Sequence, residues 1–369
     1  MFIVKSRIAI VWELISYGGV QTCVIVLIQK LNALGITPTL ICRTKPSDFI
    51  LNEFNLRIDY QIVHYQFEKF TKYIPVYIMD LFVYLDLSSL NYDFYYIFDS
   101  NVIPAKNQKY LFYLSMSPLF KRSVFHSFRN KVKMLIYNFT RFIVPKFEFS
   151  KIASNCVINS EFTAEIFFNN YSKKIDVVYP PSLIQRIDMD SLLKKDFNNE
   201  IVVLSRFEWQ KRYHVVLDLA VKFPNYNFNF IGSVTDWDYY NTILGTVRDL
   251  GLFNVRFSIN STHKELMKII DNSTFYVFAA QNEHFGITTL DIMRRGLIPF
   301  VHDSGGQKSI VSMDELRFND DNMVDKFNGI LKLALEDLTS LRMKLFSNLD
   351  RFDNIHFQNY LTEKITASE

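Results

Sequence analysis

Two carboxylates, Glu283 and Asp291, stand either side of a glycine and two threonines in the stretch QNEHFGITTLDIMRRG, residues 281–296. They are roughly two helical turns apart. Gly286 lets the backbone come close to a ligand. A helix opening near Ile287 would present free N–H groups and a positive dipole end, a seat for a phosphate. Glu283, just outside that seat, can accept hydrogen bonds from hydroxyls. Asp291, inside the helix, can take a neighbouring diol such as a ribose. The same spacing taken alone also describes a capping acid and a solvated helical acid. A second stretch, Leu204–Lys211, carries Arg206 and Lys211. Arg206 offers a planar fork of donors and Lys211 a mobile point charge. Two cations on one loop suit a diphosphate, with a pair of surface ion pairs as the plainer alternative.

The surrounding pattern says what must position these groups. An apolar run, residues 7–14, is followed by Gly18–Gly19, a helical period from Val20 to Leu34, and a stop at Gly35, which reads as a βαβ start. Shorter strands are expected near 62–63, 94–98, 110–114, 157–159 and 177–179. Tyr179-Pro180-Pro181 is a hard break, since proline cannot continue a strand. Beyond it, strands at 201–205, 226–232, 254–259, 275–280 and 297–302 alternate with helical segments, one opened by Thr262 with Glu265 at capping-box spacing. Strands alternating with helices imply parallel sheets covered on both faces. The fold class is therefore α/β, two doubly wound Rossmann-like domains facing across a cleft. Residues 1–182 form an N-terminal domain, 183–199 a linker, 200–345 a second domain, and 346–369 a terminal helical segment. Ligands in such sheets bind beyond the carboxyl ends of strands, and both charged stretches directly follow a strand.

Composition narrows the classes. The 369 residues are too many for one ordinary core, and half are apolar with about a fifth charged, a globular balance. A net charge of +3 gives no nucleic-acid signature. Cys23, Cys42 and Cys156 form no CxxC or metal spacing and read as small buried hydrophobes in a reducing compartment. Glu13 and Gly18–Gly19 interrupt the first apolar run and Asp80 the next, so the sequence shows neither a signal-peptide layout nor a span of about 20 apolar residues. A cytoplasmic location is expected.

The wording of these stretches resembles a known family. Arg206-x4-Lys211, Glu283-His284-Phe285-Gly286 through Asp291, and 299–306 are similar to the family 4 retaining glycosyltransferases of GT-B fold. Upstream, 159–167 and 178–182 look like the same family's end of the first domain. The run EHFGITTLDIMRRGLIPFVHDSGGQKSIV is especially similar to the mannosyltransferases that extend the dolichol-linked core with α-1,2-mannose. The resemblance implies a hexose, mannose favoured, moved from a nucleotide diphosphate sugar, GDP- or UDP-linked, to a lipid-linked glycan or surface polysaccharide. It implies that Arg206 and Lys211 hold the diphosphate, Glu283 the donor sugar and Asp291 the ribose. Phe285, Gly286 and Ile287 would lend backbone contacts, with His284 beside them as a donor contact or a packing imidazole. Gly18 and Gly19 would approach the diphosphate from the opposite domain.

Two positions depart from the pattern. Asp291 stands where the family usually has Glu, one methylene longer. Met116, in Tyr113–Pro118, stands where many relatives have His. The strings Asp188-Met189-Asp190 and Asp236-Trp237-Asp238 read as helix-start acids, so no metal or other cofactor is expected; His302 reads as a strand end. Residues 119–151 interleave eight basic side chains with aromatics against the single acid Glu148. That composition fits a peripheral contact with the cytoplasmic membrane face, or else a solvated basic face. A nucleotide-sugar epimerase of the same fold and a non-catalytic nucleotide-sugar-binding partner remain the alternative functions.

Overall fold

The computed structural model describes residues 7–12, 18–42, 49–64, 87, 89–99, 108–115 and 153–366. Met116 and the basic segment 119–151 lie outside the described residues. The chain divides into two compact units. One comprises the chain up to Pro181 with the segment from Asn354, and the other is Ser182–Asp353.

The first unit is built on a seven-stranded parallel sheet, β1 (Ile8–Val11), β2 (Thr39–Cys42), β3 (Gln61–His64), β4 (Phe94–Phe98), β5 (Tyr110–Leu114), β6 (Cys156–Ile158) and β7 (Asp176–Val177), in the order β3-β2-β1-β4-β5-β6-β7. β1, β2 and β4 are buried along their whole length. Such strands read as continuous apolar runs because a parallel sheet is covered on both faces. Ala9, Ile41, Tyr95, Ile97, Phe112 and Ile158 meet in one core cluster. The helix Gly19–Ala33 follows β1 and ends before Gly35, whose φ of +77° closes the turn. The last helix, Asn354–Thr366, lies against it. Gln358 Nε2 donates to the Val26 carbonyl at 3.4 Å, Lys30 Nζ to Asn359 Oδ1 at 3.2 Å, and the Tyr96 hydroxyl to the Leu361 carbonyl at 2.6 Å.

The second unit carries six parallel strands, β8 (Glu200–Leu204), β9 (Asn227–Gly232), β10 (Val255–Ile259), β11 (Phe275–Phe278), β12 (Ile298–His302) and β13 (Arg317–Phe318), ordered β10-β9-β8-β11-β12-β13. This is the dinucleotide-fold order, and the strand sequence reverses between β8 and β11. Pro299 is tolerated inside β12 because β13 pairs only with Val301 and His302. Thr262 and Glu265 form the full capping box.

Two boundaries differ from the sequence expectation. Residues 183–199 are not a free linker. Met189–Leu193 is a helix, Ile187 N donates to the Arg294 carbonyl at 3.1 Å, and Lys195 Nζ to the Asp271 carbonyl at 2.6 Å, so the segment is folded onto the second unit. Its polar composition looked like a linker because its partners are backbone carbonyls distant in sequence. Residues 346–353 also stay with the second unit. Phe346, Leu349 and Phe352 are buried there, and Phe352 packs edge-on to Phe285 at 5.9 Å. The return to the first unit begins at Asn354.

Candidate functional site

Both charged stretches sit at the carboxyl ends of β8 and β11, the adjacent strands that flank the reversal. After β8 the chain is pinned at Ser205, whose N–H donates to the Tyr213 hydroxyl at 2.9 Å. Gly232 permits this packing, since a Cβ there would stand 1.7 Å from the Ser205 carbonyl oxygen. Trp209–Lys211 is a 3-10 turn, and Arg212, at φ +55°, swings the chain into the Tyr213–Lys222 helix.

After β11 the loop runs Gln281 to Phe285 and ends in Gly286, at φ +100° the N-cap of the Ile287–Arg294 helix. Gly286 offers no side-chain cap and no acid stands in the first turn of the helix, so neither offsets the dipole end. The loop is pressed from behind by Gly305 and Gly306. Gly306 N donates to the Glu283 carbonyl at 2.6 Å. A Cβ on Gly305 would lie 2.4 Å from the Glu283 carbonyl oxygen, and one on Gly306 2.1 Å from that of His284.

These supports bring Lys211 Nζ to 2.7 Å from Glu283 Oε2, with the side chains 16% and 22% exposed. Burial pushes the Glu283 carboxyl up, but the charge and hydrogen bond of Lys211, with His284, push it down by more. The group is held below its ordinary range. Burial depresses the His284 imidazole, with Glu283 opposing and Lys211 assisting. A carboxylate and an ammonium thus face one another at the mouth of the sheet, one able to hold hydroxyls and the other a phosphate.

The other sequence-derived residues fall differently. Arg206 is 58% exposed and pairs with Glu208 on its own loop at 3.0 Å, so it does not share the Lys211–Glu283 contact in this state. Asp291 is buried and accepts a hydrogen bond from Ser182 Oγ. The Phe285 side chain is core, leaving its backbone for any ligand contact. Gly18 and Gly19 lie in the first unit, where Gly18 caps the Gly19–Ala33 helix without a side-chain bond. Asp188 and Asp236 are N-caps, accepting from Ser191 N at 2.7 Å and Tyr239 N at 3.0 Å.

A polar network beside the pair went unread in the sequence. Arg212 Nη2 bonds Asp320 Oδ2 at 2.8 Å and Arg212 Nη1 the Ala279 carbonyl at 3.3 Å. Gln281 Nε2 donates to Asp320 Oδ2 at 3.2 Å, and His302 Nδ1 meets Ser304 Oγ at 2.9 Å. Ser304 Oγ accepts from Asn282 N at 2.8 Å. Arg212 adjoins Lys211, and Gln281 and Asn282 precede Glu283, so the network ties both loops to the ends of β12 and β13. Its only sequence signal was the acid pair Asp320–Asp321 just past a strand end.

Residues 185–348 match the family model described as "Glycosyl transferases group 1". The match lies within the second unit and takes in both the Lys211 and the Glu283 loops. In sequence, the GDP-Man:Man(3)GlcNAc(2)-PP-Dol alpha-1,2-mannosyltransferase of Yarrowia lipolytica is 30% identical over 159 residues, 38% of this chain and 25% of that protein. The protein of the same name in Dictyostelium discoideum is 23% identical over 337 residues, 81% of this chain and 65% of its own. The chain therefore spans less than two thirds of the length of either relative. In structure, Anabaena HepE, solved in complex with UDP-glucose, superposes with a TM-score of 0.71 at 14% identity, over 98% of this chain and 100% of that one. That likeness shows the fold, GT-B, with two Rossmann-like units.

Proposed function

We propose that the protein is a hexosyltransferase that moves mannose from GDP-mannose to a lipid-linked glycan, with retention at the anomeric carbon. The observation that carries this reading is the Lys211–Glu283 pair at the strand reversal of a glycosyltransferase domain. The donor sugar is taken from the relatives named for GDP-Man.

In the reaction so read, the bond between the anomeric carbon and the diphosphate oxygen breaks, and a bond from the acceptor hydroxyl oxygen forms on the same face. The leaving diphosphate takes the acceptor's proton. Negative charge grows on the diphosphate, where Lys211, Arg206 and the amides of the Ile287–Arg294 helix would stabilise it without rearrangement. Glu283 would hold the hexose hydroxyls and Asp291 the ribose. Because fixed cations and amides supply this stabilisation, the reading needs no metal. The proposed membrane contact rests on the composition of residues 119–151. Among the described residues no helix is long and apolar enough to cross a membrane.

The test is a transfer assay with labelled GDP-mannose and UDP-hexoses, with and without a lipid-linked oligosaccharide acceptor. Label carried into the acceptor, and dependent on it, supports the reading. A free isomeric sugar formed without acceptor would make the protein an epimerase. Donor binding with no turnover would make it a binding partner.

A further inference from the structure

Ser182 opens the second unit directly after Pro180–Pro181, and its side chain does one specific thing. Its Oγ accepts from Ile184 N at 3.0 Å and donates to Oδ1 of Asp291, a residue far along the chain. A hydroxyl has one hydrogen. The Ile184 carbonyl, at 3.4 Å, is the farther of its two acceptors, and the carboxylate is the nearer and charged one, so the hydrogen favours the carboxylate. Both residues are buried, Ser182 at 3% and Asp291 at 7% exposure. The same strand of chain grips the next turn of the helix, where Arg294 Nη1 donates to the Ile184 carbonyl at 3.4 Å and the Arg294 carbonyl accepts from Ile187 N at 3.1 Å.

We propose that Ser182 is a positioning residue, setting the direction in which Asp291 presents its carboxylate and thereby the site's preference for a ribose diol. The proposal rests on the reading of Asp291 as the acid that takes the ribose. A short aspartate has few rotamers, and a buried carboxylate is costly unless hydrogen-bonded. A donor fixed to one oxygen favours one orientation of the group. A vicinal diol rewards that orientation, because both hydroxyls must reach the same carboxylate. A serine that only satisfied a buried acid would affect stability and leave ligand preference unchanged.

The experiment measures dissociation constants of GDP and UDP and of their 2′,3′-dideoxy counterparts on wild type, Ser182→Ala and Ser182→Thr, with unfolding midpoints taken alongside. Wild type should prefer the ribose form by about tenfold, the worth of one good hydrogen bond. Ser182→Ala should erase most of that preference while holding its affinity for the dideoxy form, and Ser182→Thr, which keeps the hydroxyl, should restore it. Should Ser182→Ala fail to fold, Ser182→Cys, with a weak donor, carries the same comparison. A Ser182→Ala protein that keeps the full preference, or weakens for both forms equally, overturns the proposal. A wild type blind to the ribose hydroxyls overturns the ribose assignment of Asp291 itself, and the proposal with it.

Discussion

Lys211 Nζ and Glu283 Oε2 lie 2.7 Å apart, although one residue follows β8 and the other follows β11. On the proposed reading, a diphosphate at Lys211 would draw the ammonium away, and that exchange would release the Glu283 carboxylate to accept hydroxyls from the attached sugar. Phosphate binding and sugar recognition would then be coupled through one ion pair.

The double glycine behind the loop should be intolerant of any side chain. In Gly306→Ala the new Cβ meets the His284 backbone carbonyl at 2.1 Å, and backbone cannot give way as a side-chain tip can. Overpacking of this kind costs about 1–3 kcal/mol. Thermal unfolding should show that loss together with a weakened nucleotide-sugar affinity. Unchanged affinity would separate the glycine from the site.

Arg212 and Asp320 should act on Lys211 and Glu283 without touching the donor. Asp320 is half exposed, so its ion pair contributes only about 0–1 kcal/mol to stability. Asp320→Asn should therefore unfold at nearly the wild-type temperature. It should nevertheless lower kcat/KM for transfer by roughly tenfold, about 1.4 kcal/mol in the barrier, because two loops lose a common anchor. A variant with wild-type kinetics would reduce the network to surface decoration.

The pH dependence of stability follows from groups held off their ordinary values. Burial depresses His302 in the folded state, with Asp320 and Asp303 opposing and Arg212 assisting. The unfolded chain therefore takes that proton first. Stability should be whole above about pH 6.5 and decline as pH falls below it, until the folded state protonates too. Glu283 acts lower down. Its contribution is present above about pH 4.3, the unfolded value, and is lost as pH falls through its depressed folded value. Unfolding midpoints from pH 8 to 4 should show the first decline, and His302→Gln should lessen it, with the depressed His284 contributing to the remainder. A flat wild-type profile between pH 7 and 5 would contradict the assignment.

The alternation of apolar runs and helical periods foretold the strands of both sheets except β13, because a parallel strand must be apolar along its length and a breaker must follow it, whereas Arg317–Phe318 is a two-residue edge strand that begins with a charge. Gly35 and Gly286 were readable because they stand where the chain turns. The Thr262–Glu265 box was readable because both partners lie within one turn of helix. What escaped depends on distance along the chain. Nothing local in Ser182 points to Asp291, nor in Arg212 to Asp320. The 183–199 segment looked like a linker because its hydrogen bonds go to backbone that the sequence does not display. Arg206 and Lys211 read as equivalent cations, yet only the lysine reaches Glu283, since Glu208 within the same turn takes the arginine.

The most direct test titrates GDP and GDP-mannose, with UDP and UDP-glucose in parallel, into wild type, Lys211→Met and Glu283→Gln. Loss of the ammonium should weaken both the bare and the sugar-bearing nucleotide by about 10- to 100-fold, the range for a charge-assisted hydrogen bond. Loss of the carboxylate should strengthen binding of the bare nucleoside diphosphate, now free of a competitor for Lys211, while abolishing the advantage that the sugar confers. Nucleotide affinities that ignore both substitutions would place the donor elsewhere and contradict the account.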